Sequence, residues 1–160
     1  MNPTLVLGYG NPDRQDDGVA WHVLHALALR LGLPAPDSYE DEFPPNDRLD
    51  FAFYLQLTPE MAEQIAPYAR VCFVDAHTGS IAENVQLLPV TGQFQHSPFT
   101  HHLTPQSLLS MCQSLYGKTP QAVLLSLRGY QFEFERQLSP ATAALLPEAL
   151  EKIVAWLDQK

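Results

Sequence analysis

An α/β fold is predicted: a three-layer sandwich whose mostly parallel or mixed twisted sheet of about five strands is flanked by helices. Three observations predict it. Short apolar runs alternate with helix-length amphipathic stretches along the chain. The first run, "TLVL", stops at a glycine turn that leads into a helix. No repeat, linker or shift in composition divides the 160 residues, so a single domain over 1–160 is expected.

The elements follow in order. Thr4–Leu7 is a buried strand. From Asp17 to about Leu31, Val19, Val23, Leu24, Leu27 and Leu31 recur at helical spacing. Asp16 is expected to cap this helix and Asp17 to favour its positive end. Gly32 and Pro34 end it. An acidic, proline-rich loop, "APDSYEDEFPPNDR", comes next, and "LDFAFYLQL" reads as a strand. Thr58 as N-cap and Pro59 at the first helical position start a helix in "TPEMAEQIAPYA". "RVCFVDAHTG" is a buried strand closing on Asp75, and "NVQLLPV" is another strand. "TGQFQHSPFTHHL" is an irregular loop that concentrates His96, His101 and His102. The Thr-Pro start recurs in "TPQSLLSMCQSLYG"; "AVLLSLRGYQF" is a strand and "SPATAALLPEALEKIVAWLDQ" a terminal helix.

Composition excludes several functions. An apolar fraction of 46% is ordinary for a globular protein and argues against disorder. A formal charge of −9 argues against nucleic acid and against docking to an anionic membrane. Cys72 and Cys112 have no CxxC spacing, and Cys72 lies in an apolar run, so a thiolate zinc site is excluded and a buried thiol expected. No basic leader and no run of about 20 apolar residues is present. A cytoplasmic, monomeric protein is expected.

In open α/β sheets, sites lie beyond the carboxyl ends of strands, where strand order switches. The first strand is followed by Asp16 and Asp17, and "VCFV" closes on Asp75. A charge at the end of so apolar a run costs several kcal/mol unless something pairs with it. Chain order allows Asp17, Asp75 and one of His96, His101 or His102 to converge, a donor set that suits a divalent first-row cation. A dinucleotide site fits poorly: Gly8 and Gly10 match the GxGxxG pattern, but Asp13 stands at its third glycine and would repel a pyrophosphate. Asp16 alone reads as a cap. Asp16 and Asp17 are sequence neighbours and point different ways on a helix, so they are poor candidates for a proton-sharing aspartic dyad. His22 and His25 lack a third ligand or an HExxH pattern and read as surface or packed histidines. No GxSxG elbow is present.

"LVLGYGNPDRQDDGVA" resembles the opening motif of the [NiFe]-hydrogenase maturation endopeptidases, strand–GxGN–loop–acidic–acidic–Gly. "VCFVDAH" is similar to their central strand, which closes on VDA, and "THHLTPQSLL" to their histidine segment before a helix. "LRGYQFEFERQLSPATAALLPEALEKI" is similar to their C-terminal strand, glycine turn and last helix. The resemblance implies a twisted sheet flanked by helices. It implies one cut near the C-terminus of a hydrogenase large-subunit precursor after nickel insertion. Two acidic residues and a histidine contact that nickel, which the substrate contributes; no tightly bound metal is expected in the isolated protein. Carried over, these residues are Asp17, Asp75 and His101, with His102 as the alternative to His101. A non-catalytic, metal-sensing chaperone of the nickel-loaded precursor is the competing reading. Two departures stand out: Ala20 replaces a family glycine in the first helix, and "LQLT", Leu55 to Thr58, replaces a Gly-rich "DGGT"-like segment.

Overall fold

A computed structural model of the chain describes residues 2–92 and 103–159. Among these, five strands form one sheet in the order β2-β1-β3-β5-β4: β1 (Thr4–Tyr9), β2 (Asp50–Tyr54), β3 (Arg70–His77), β4 (Val85–Val90) and β5 (Gln121–Arg128). β1 pairs in parallel with β2 and β3, and β3 with β5; β4 runs antiparallel to β5 at one edge. The mixed, mostly parallel sheet expected from the sequence is present.

Alternation along the strands divides the core in two. On one face Val6, Cys72, Val74, Leu125 and Leu127 pack against α1 (Val19–Arg30) and α5 (Leu146–Leu157) through Val23, Leu24, Leu27, Ile153 and Trp156. On the other, Leu5, Leu7, Val71 and Phe73 pack against α2 (Met61–Ile65) and α3 (Pro105–Tyr116) through Met61, Ile65, Leu108 and Leu109. The fully buried β1 and β3 segments read as continuous apolar runs because both faces are covered. A Cβ on Gly8 would lie 3.1 Å from the Ala20 Cβ, so the bare glycine on β1 leaves the room that α1 needs with alanine at that position.

Three local expectations are corrected. First, Asp16 does not cap α1. A 3-10 segment, Pro12–Gly18, precedes the helix, whose N-cap is Gly18 with no side-chain capping bond. Second, Thr58 does not cap α2: its hydroxyl is engaged by the Glu60 carboxylate, residues 58–61 form a turn, and the helix starts at Met61. Third, the terminal helix is two helices, α4 (Pro140–Ala143) and α5. Pro147 has no N–H to offer the Ala143 carbonyl, so the helical ladder cannot run through. The second Thr-Pro start behaves as expected. The Thr104 hydroxyl accepts from the Ser107 N–H at 3.1 Å, with Pro105 opening α3.

Candidate functional site

β1 and β3 are neighbours at the switch in strand order: the chain leaves β1 for β2 on one side and leaves β3 for β4 at the far edge on the other. Their carboxyl ends open onto a cleft of about 510 Å³. Tyr9, Gly10, Asp17, Asp75, Ala76 and Leu124 line it, together with Leu55–Leu57 after β2 and Leu103–Gln106 at the start of α3. Asp17 and Asp75, 58 positions apart in sequence, thus share one cleft, as the sequence allowed.

The turn after β1 aims Asp17. Gly10 has φ +139°, and a Cβ there would sit 2.1 Å from the Asp17 carbonyl oxygen. Its N–H donates to the Tyr54 carbonyl at 3.1 Å, which ties the turn to the end of β2. The Asn11 N–H donates to the Asp17 Oδ2 at 2.9 Å and orients that carboxylate. Gln15 is the one non-glycine residue with positive φ among the described residues, at φ 54° and ψ −111°. Such a backbone persists only where its surroundings over-determine it. Here the Gln15 N–H donates to the Glu135 carbonyl, and its side chain engages Gln131 and the Glu133 N–H.

That strained turn sends Asp16 and Asp17 to different places. Asp16 is fully buried. It accepts from the Tyr130, Gln131 and Ser139 N–H groups and from the Ser139 and Thr142 hydroxyls, all at 2.7–2.9 Å. Burial works to raise its pKa, but the Ser139 hydroxyl and the backbone donors outweigh burial and hold it below the ordinary value. Asp13, also in this segment, accepts from the Tyr39 hydroxyl at 2.6 Å and from Arg136 Nε at 2.7 Å.

Asp75 alternates onto the same sheet face as Tyr9, Phe73 and Leu124. Burial, with the Asp17 charge adding to it, pushes its pKa up to about 7 against the opposing hydrogen bonds from the Ala76 N–H and Tyr9. The Ala76 N–H lies 2.7 Å from Asp75 Oδ1. Tyr9 itself is raised by burial and by the Asp75 charge. Among the described residues no Lys or Arg lines the cleft. Two carboxylates with no Lys or Arg beside them among the described residues, one pushed toward its protonated form, offer oxygen donors of the kind that suit a divalent cation.

His96, His101 and His102 lie outside the described residues. Among the described residues no group of three His, Cys, Asp or Glu side chains converges as a metal site. His22 and His25 flank Trp21 as ring contacts on α1, and His22 Nε2 lies 3.2 Å from the Arg136 carbonyl oxygen; they take no part in the cleft. Cys72 is buried as expected. Sequence reasoning missed Tyr9 as the partner of Asp75. Its signal was available: Tyr9 closes β1, and Asp75 lies on the same alternation near the end of the neighbouring β3. The departure "LQLT" falls on the cleft, since Leu55, Gln56 and Leu57 line it.

No protein-family model matches the chain, and no curated protein sequence matches it. Solved structures do. The chain is similar to the hydrogenase maturating endopeptidase HybD from E. coli, at 20% identity and a TM-score of 0.67, over 98% of this chain and 92% of that one. It is similar to the [NiFe] hydrogenase maturation protease HycI from Thermococcus kodakarensis, at 18% identity and a TM-score of 0.64, over the same shares. It is also similar to a hydrogenase 2 maturation peptidase from a thaumarchaeote, at 17% identity and a TM-score of 0.60, over 98% of this chain and 99% of that one. The chain has the fold of these proteins over nearly its whole length.

Proposed function

We propose that the chain is an endopeptidase that removes the C-terminal extension of a [NiFe]-hydrogenase large-subunit precursor once nickel has been inserted, and that the nickel is the recognition signal. One observation carries this reading: Asp17 and Asp75 converge on one cleft, with no Lys or Arg in its described lining, in a fold shared with hydrogenase maturation endopeptidases. Among the described residues no helix is long and apolar enough to cross a membrane.

The nickel belongs to the substrate. Asp17 and Asp75 supply hard oxygen donors, and His101, two residues before the cleft-lining Leu103, supplies the imidazole. With no cation present, burial and the Asp17 charge favour a proton on Asp75. A dication takes the place of that proton and turns two repelling carboxylates into ligands. A ligand shifts recognition only by its differential affinity. A charge change of this kind supports a coupling of about 3 kcal/mol, or about a hundredfold in affinity. Hydrolysis then adds water across the scissile amide. The water oxygen bonds to the carbonyl carbon, the C–N bond breaks, and the departing nitrogen takes a proton. A carboxylate of the Asp17–Asp75 pair accepts the water's proton and returns it.

The test is incubation of purified protein with nickel-loaded precursor, read by mass spectrometry of the large subunit. Wild type is expected to shorten it at one position, and Asp17→Asn, Asp75→Asn and His101→Ala to slow the cut at least a hundredfold. A precursor that is bound but left intact by wild type would replace this reading with that of a metal-sensing chaperone. Three variants that all cut at the wild-type rate would place the site elsewhere.

A further inference from the structure

We infer that Arg128, backed by Tyr130, is a carboxylate-binding subsite beside the Asp17–Asp75 cleft and holds an anionic group of the peptide. Asp75 on β3 pairs in register with Ser126 on β5, and His77 with Arg128. By alternation Leu124, Ser126 and Arg128 share a face, and Leu124 already lines the cleft. Arg128 stands one strand across and two residues further along than Asp75, about 8 Å between Cα atoms by ordinary strand geometry.

The guanidinium is positioned but unsatisfied. It stacks over the Tyr130 ring at 4.8 Å from its centroid. On another side it meets the turn at Gly79, where a Cβ would lie 3.3 Å from an Arg128 Nη. Its Nε is buried and has no hydrogen-bond partner among the described residues. A buried donor left unmade is costly, so its presence calls for an acceptor. The chain has 18 carboxylate side chains and nine Lys and Arg residues. Arg30, Arg136 and Lys152 each hold a carboxylate. Arg128 holds none among the described residues. Glu83, in the loop after β3, is engaged by the Gln86 amide instead. The segment 93–102 contains no Asp or Glu, so it cannot supply the missing anion. Gln159 lies far from it: Arg70, at the start of β3, binds the Gln159 carbonyl, whereas Arg128 pairs with His77 at that strand's other end.

Guanidinium on a flat aromatic support is a geometry suited to a planar carboxylate. Beside a cleft whose described lining carries Asp17 and Asp75 and no Lys or Arg, it supplies a positive charge that attracts an anion, so it fixes the direction in which a peptide lies. The anion is a carboxylate from an Asp or Glu side chain or from the peptide's own C-terminus.

The subsite can be read without any cleavage. The Arg128 Nε–H resonance, assigned with Arg128→Lys, is followed by NMR in wild-type protein. Three tripeptide probes are added: Ac-Ala-Glu-Ala-amide, Ac-Ala-Gln-Ala with a free carboxylate, and neutral Ac-Ala-Gln-Ala-amide. A saturable shift with a carboxylate probe and none with the neutral one is expected, and the probe that acts identifies the source. No shift with either carboxylate, or an equal shift with the neutral probe, overturns the inference. The role in cleavage rests on the function proposed above and has its own readout. Arg128→Lys and Arg128→Gln should raise KM for nickel-loaded precursor about tenfold while kcat holds, at unchanged melting temperature. An unchanged KM in both variants would separate Arg128 from the substrate. Failure of wild type to cut would overturn the endopeptidase reading alone, because the resonance still reports on the carboxylate.

Discussion

Asp13, Asp16 and Asp17 sit within five positions, yet their carboxylates meet different surroundings. Asp13 binds Tyr39 and Arg136 at the surface, Asp16 is buried under five donors, and Asp17 faces the cleft. Removing the Asp16 carboxylate leaves those donors unpaired in the interior. Asp16→Ala should therefore cost on the order of 3 kcal/mol or more in a denaturant titration. Because the folded state holds Asp16 below its ordinary pKa, that contribution is present above about pH 4 and fades as the pH falls through the lowered value. Asp75 has the opposite sign. Its pKa rises from 3.8 to about 7 on folding, so the folded state binds the extra proton between those values and stability falls as the pH rises through them. Asp75→Asn removes that cost. The variant should be more stable than wild type at pH 8 by a few kcal/mol and should lose the advantage near pH 4. A variant no more stable than wild type at pH 8 would mean that Asp75 is well solvated when charged.

The turn between β1 and α1 does the aiming. A glycine turn after the first apolar run was legible in the sequence, and the positive φ of Gly10, with its close approach to the Asp17 carbonyl, agrees with a turn there. Gly10→Val should lower the melting temperature and slow processing together, since a side chain there collides with backbone. A stable, active Gly10→Val protein would contradict the turn's role. The segment 129–142 was less legible. It carries no regular element beyond α4, and its order comes from Asp16 and Gln15, more than 100 positions earlier. Local pattern cannot announce contacts at that separation, and so the buried Asp16 read as a helix cap. Hydrogen exchange in 129–142 should accelerate in Asp16→Asn more than in β1 or β3. Thr58 failed as a cap for a similar reason: a carboxylate two residues on captured its hydroxyl.

Across the whole molecule, alternating apolar runs and amphipathic stretches carried the layer architecture, because each strand and helix must bury its own apolar surface. The switch in strand order between β1 and β3 then placed Asp17 and Asp75 in one cleft. What chain order could not carry was the environment of each charge. Tyr9 against Asp75, and Arg128 stacked on Tyr130, emerge only once neighbouring strands are set in register. The central claim is that this cleft recognises a dication carried by its substrate. The most direct measurement incubates nickel-loaded and nickel-free large-subunit precursor side by side with purified protein and scores loss of the C-terminal peptide by mass spectrometry. A chelator is added to a parallel set after nickel is in place. The expected result is cutting of the loaded precursor alone, at least a hundredfold faster than the nickel-free form and undiminished by chelator. Equal cutting of the two forms would contradict the claim, and loss of cutting of the loaded form with chelator would point to a metal resident in the enzyme.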